Sequence, residues 1–132
     1  MELIFAGVYI WAVGNAFVSG SALDRFLQVT PSIDDPSALD RFKAIARRNM
    51  YQALLQIVLL GAGMITGILL ILRHGFVGLL GVLLANAVVF ALGKHFGKLE
   101  EQARSLPTTT EELRAEHRRV SEIWVKKALP DF

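Results

Sequence analysis

The sequence predicts an all-α integral membrane protein with three transmembrane helices, and three observations predict it. No charged residue falls within 3–23, 49–72 or 76–93. Each run is about long enough to cross a hydrocarbon core of ~30 Å at ~1.5 Å per helical residue. Hydrophobic residues make up 53% of the chain and charged ones only 20%, confined to segments between and after the apolar runs. A soluble domain carries ~25% charged residues more evenly spread. Finally, only Arg73, His74 and Gly75 separate the last two runs. So short a break permits only a reversal, so the second and third spans are expected to form a tight hairpin.

The first span is placed at 3–23. A cleavable leader would have a basic stretch before its apolar run, but only Glu2 stands there, so the span is expected to be retained. Ala12, Ala16 and Gly20 recur at fourfold spacing and form a small-residue row for helix packing. Asn15 lies near the middle of this span and needs a partner in hydrocarbon.

The segment after it contains Pro31 and Pro36 and reads as a turn or short loop over 28–36. The hexapeptide Ser-Ala-Leu-Asp-Arg-Phe occurs at 21–26 and again at 37–42. Serine and aspartate have capping-box spacing in both copies, which predicts a local helix boundary at each. Asp35-Pro36 strengthens the second boundary. From there Leu39, Phe42, Ala46 and Met50 recur at helical spacing, so a stem over 37–50 should lead into the second span, 51–72.

The third span is placed at 76–94. Its continuation, a stem over 95–106, has Phe96, Leu99, Ala103 and Leu106 on one face and stops before Pro107. If the hairpin reverses about His74, Arg48 falls level with Glu100 and Arg47 with Glu101, which predicts ion pairs between the stems. The same register sets Asn86 beside Ala62. Gly63 and Gly67 would then let the two spans approach closely. An interhelical hydrogen bond is expected from Asn15, Asn86 or both, with Gln56 and Thr66 available to join; Thr66 can also bond its own backbone.

Thr108 to Glu112 carries overlapping capping boxes and opens an amphipathic tail helix over 109–129. Leu113, Val120 and Trp124 form its apolar face. Trp124 beside Lys126 and Lys127 suits a helix lying on a membrane surface, while the mixed charge of the tail favours docking on protein.

Of the 14 lysines and arginines, all but Arg73 lie within 24–50 or 94–132. Three crossings put those segments on one side, so the positive-inside rule predicts an outer N-terminus and a cytoplasmic C-terminus, as in a prokaryotic cytoplasmic membrane.

No Asp, Glu, Lys, Arg or His is expected within a span core, which argues against proton-coupled transport and intramembrane proteolysis. No cysteine is present, and no nucleotide loop or hydrolase motif occurs. The net charge of +2 gives no reason to expect nucleic acid. No cofactor or metal is predicted; a single contact from His95 or Asn86 to a tetrapyrrole is the nearest alternative.

The composite expectation is a non-catalytic accessory or scaffold subunit embedded in lipid. It would bind other membrane subunits or copies of itself through its small-residue faces and its tail. One alternative is a homo-oligomeric channel or facilitator lined by Asn15, Gln56, Thr66 and Asn86. Another is a module binding a lipid, quinone or pigment between its spans.

Overall fold

The computed structural model describes residues 2–132. These form four helices: α1 (Glu2–Val29), α2 (Pro36–His74), α3 (Phe76–Arg104) and α4 (Glu111–Lys126). The first three are long and apolar enough to cross a membrane. At ~1.5 Å per residue α2 measures about 58 Å, nearly twice the hydrocarbon thickness of ~30 Å. Its first half therefore extends well beyond any span made by its second.

Local chemistry sets the helix ends. Asp35, in extended backbone, caps α2 by accepting from the Ala38 N–H at 2.7 Å, and Pro36 supplies a preset φ in the first turn. Gly75 alone separates α2 from α3, at φ 61° and ψ −130°. That region strongly favours glycine. Beyond the turn, a Cβ on Gly78 would stand 2.6 Å from the Leu70 carbonyl oxygen, so the two backbones touch there. Thr110 caps α4 by accepting from the Leu113 N–H.

The first hexapeptide copy does not end a helix, because α1 continues through 21–26 to Val29. Its Leu23 and Phe26 instead face Leu39 and Phe42 of the second copy within one buried cluster, with the two phenylalanine centroids 6.3 Å apart. Capping spacing is uninformative where the residues are already held helical by packing on their apolar side.

The bundle has two storeys. In the one away from Gly75, α1, α2, α3 and α4 share a core that includes Leu23, Phe42, Ala46, Ala103, Val120 and Trp124. The segment before α2 seals it: Ile33 is fully buried, donates its N–H to Pro107 O at 2.8 Å and accepts from Thr109 N–H at 3.3 Å. In the storey nearer Gly75 the buried side chains are fewer, chiefly Phe5, Tyr9 and Leu70. Most large apolar residues of α2 and α3 there face outward, Ile57, Ile65, Leu83 and Phe90 among them. That inversion, with apolar side chains outward and little interior, suits a hydrocarbon solvent.

Candidate functional site

Close packing uses the small residues first. Ala12 is buried, Ala16 is half-buried, and a Cβ at Gly20 would run into the Phe96 ring of α3. On α2, a Cβ at Gly63 would stand 2.8 Å from Tyr9 Cε2, and one at Gly67 would stand 3.2 Å from Val82. These positions join α1, α2 and α3 within one chain. Gly7, Gly14, Gly81 and Gly93, by contrast, have open space where a Cβ would be.

The amides follow the same division. Asn15 Nδ2 donates to Gln56 Oε1 at 2.9 Å and to Gln52 O at 3.0 Å, tying α1 to α2. Asn49, unremarked in the sequence reading, is buried and donates to Ser19 Oγ at 2.8 Å. Its signal was there: Asn49, Gln52 and Gln56 share one face of α2 at the spacing of a helical seam. Thr66 Oγ1 donates to Ala62 O of its own helix at 2.9 Å. Asn86 also bonds its own helix, donating to Val82 O at 2.8 Å, and it is exposed. Of the four polar residues expected to line a channel, only Asn15 and Gln56 meet.

The expected stem ion pairs do not form among the described residues. Glu100 lies 3.7 Å from Arg104 on its own helix, and Arg47 donates to Phe132 O at 2.8 Å. The register between α2 and α3 is close to the expected one, since Gly67 packs against Val82. The rotation is what differs. Ala46 faces inward, and residues one and two places on are turned by about 100° and 200° from it, which sends Arg47 and Arg48 outward.

On α4, Leu113, His117, Val120 and Trp124 are buried. Trp124 lies 6.0 Å from Phe42 and beneath the Arg104 guanidinium at 5.6 Å. The apolar face of α4 is thus covered by α2 and α3. Lys43 reaches Glu116 at 3.0 Å, adding a link from α2. Arg119 foremost, then Lys43, holds the Glu116 carboxyl down to about 2. His117 packs on Phe42 at 4.4 Å and its Nε2–H donates to Ala103 O at 3.1 Å. Burial lowers its pKa, against the opposing effect of that hydrogen bond.

His95 is exposed and stacks edge-on against Phe96 at 5.1 Å. His74 meets the Glu2 carboxylate beside Arg73, joining the start of α1 to the end of α2. Glu2's own backbone N–H and then His74 hold that carboxyl down to about 2. No group of three His, Cys, Asp or Glu side chains placed to hold a metal occurs among the described residues.

Comparison with known protein families, with characterised proteins and with solved structures finds no match. The class defined by the structure is that of a small all-α protein with three helices long and apolar enough to cross a membrane.

Proposed function

We propose that this chain is a non-catalytic subunit of a membrane complex, built as a spanning hairpin of α2 and α3 with α1 beside it. Its N-terminus faces outward, and the storey holding α4 lies in the cytoplasm of a prokaryotic cell. The basic residues of 24–50 and 94–132, opposed by Arg73 alone, support that orientation. Its α4 works as an internal clamp on the cytoplasmic storey.

One observation carries the reading: the exposed amide of Asn86. Among the other residues expected to meet a partner, Gly63 and Gly67 are covered by Tyr9, Val82 and Phe5, and Trp124 is buried on α2. Asn86 alone stays available, midway along the apolar part of α3. That part of α3 buries only Gly78 within the chain. An amide facing hydrocarbon leaves hydrogen-bonding capacity unused, and a neighbouring helix with a polar group relieves it by ~0.6 kcal/mol on average and ~1.7 at most. Leu79 and Leu83, also exposed, flank the same side and supply apolar contact.

Native mass spectrometry after gentle extraction tests this. The expected result is an assembly of fixed stoichiometry with another membrane chain, weakened by Asn86→Leu while the melting of the isolated chain is unchanged. Wild-type protein that is monomeric in its own membrane, or an assembly indifferent to Asn86→Leu, would sink the proposal. A homo-oligomer of one size would make the partner a second copy.

A further inference from the structure

Between α1, α2 and α3 lies a cleft of about 720 Å³ whose lining changes character along its length. At the end toward Gly75 it is hydrocarbon, walled by Ile57, Leu60 and Val89. Its middle holds the amides of Asn15, Gln52 and Gln56, and its other end is bounded by Asn49 and Glu100. The volume lies within the ~300–1,000 Å³ typical of small-molecule sites. Glycine makes the space: Gly93 and Gly97 line the α3 side, and neither would bring a Cβ within 4 Å of another group.

The hydrogen-bond balance at the middle is uneven. Asn15 spends its amide N–H groups on Gln56 Oε1 and Gln52 O. This leaves the Gln56 Nε2 donors and the whole Gln52 side-chain amide without a partner among the described residues. Water is poorly suited to the hydrocarbon end, and an acyl chain alone cannot accept from the glutamines. An occupant that satisfies both has carbonyl acceptors joined to a hydrocarbon tail. Glu100 at the mouth is paired with Arg104 at 3.7 Å and Lys94 is exposed, so the half-buried groups left to select a head are the neutral amides of Gln52 and Gln56.

The geometry points to a binding site for one uncharged amphiphile, whose ring or ester carbonyls accept from Gln52 and Gln56 while its tail lies along Ile57, Leu60 and Val89. A prenyl quinone and a diacylglycerol share that chemistry. The site is complete within one chain and does not rest on association through Asn86.

Native mass spectrometry of the detergent-solubilised full chain, titrated separately with decylubiquinone, dioctanoylglycerol and dodecane, tests the assignment. One of the two carbonyl probes should saturate at one per chain, and dodecane should not. Quinone binding would mark a quinone site, and diacylglycerol binding a glycerolipid site. Gly93→Leu fills the cleft and should abolish binding without altering the melting curve. Gln52→Leu should weaken it about tenfold, the equivalent of ~1.4 kcal/mol. Gly81→Leu, also open but outside the cleft, should leave it intact. Neither carbonyl probe binding at one per chain, dodecane binding equally well, or retention of full affinity in both Gly93→Leu and Gln52→Leu would overturn the assignment.

Discussion

Asn15 of α1 donates to Gln56 Oε1 of α2 across 2.9 Å, and this amide pair is one of the polar links between the two helices, beside that from Asn49 to Ser19. Because the unfolded chain in a bilayer also finds partners for its amides, the link is expected to be modest. A double-mutant cycle with Asn15→Leu and Gln56→Leu should give a coupling of ~0.6 kcal/mol. Gln56→Leu alone leaves Asn15 its second acceptor, Gln52 O, at 3.0 Å. It should therefore be the milder single change. Unfolding in bicelles by added denaturing detergent measures both, and a coupling near zero would show that the pair does not hold the helices.

The glycines should separate into those that a methyl group disrupts and those that it does not. A Cβ on Gly78 meets the Leu70 carbonyl oxygen at 2.6 Å, where backbone cannot yield. At Gly63 the obstacle at 2.8 Å is the Tyr9 ring, which can shift; at Gly67 it is Val82 at 3.2 Å. Gly78→Ala should cost about 1–3 kcal/mol, as overpacking does, with Gly63→Ala less and Gly67→Ala least. Gly81→Ala, with nothing within 4 Å, should be neutral or stabilising. Melting temperatures of the four variants check the order, and a Gly78→Ala protein as stable as Gly81→Ala would refute the close backbone contact.

Tyr9 carries a hydroxyl that the structure does not use. It is buried in the storey nearer Gly75, and its oxygen has no hydrogen-bond partner among the described residues. The ring does the packing, against Gly63 and 4.6 Å from Phe5. An unsatisfied buried hydroxyl costs ~1–3 kcal/mol, so Tyr9→Phe should stabilise the fold by about 1 kcal/mol. A drop in melting temperature would mean that the hydroxyl has a partner in the membrane.

The three helices long and apolar enough to cross a membrane were legible because charge is costly in hydrocarbon, and its absence over 3–23, 49–72 and 76–93 can be read residue by residue. Asp35-Pro36 was legible for a local reason, since a cap needs only its own first turn. Contacts between distant segments were not. Nothing near Gly20 announces Phe96, and nothing near Ile33 announces Pro107 and Thr109. The repeated hexapeptide misled because its capping spacing is local while the packing of Leu23 and Phe26 on Leu39 and Phe42 is not. For Arg47, Arg48, Glu100 and Glu101 the heights were readable but the helix rotation was not, and rotation decides which side chains meet.

The docking of α4 is expected to weaken in two stages as the pH falls. His117 comes first. Burial holds it neutral in the folded state, below its ordinary 6.5, with its Nε2–H on Ala103 O. The unfolded chain takes up that proton sooner, so the stabilisation is complete above about pH 6.5 and is lost as the pH drops through the lowered folded value. Glu116 follows. Arg119 and then Lys43 hold its carboxyl at about 2 against an ordinary 4.5, so its contribution is present above 4.5 and lost as the pH nears 2. Because Lys43 belongs to α2, this second loss also loosens α4 from the bundle. Trp124, buried beside Phe42, reports the docking, and Trp11→Phe removes the other indole. Its emission should shift to the red first below pH 6.5 and again below 4.5. His117→Gln should abolish the first step and keep the second, whereas identical curves for the two proteins between pH 7 and 5 would remove His117 from the account.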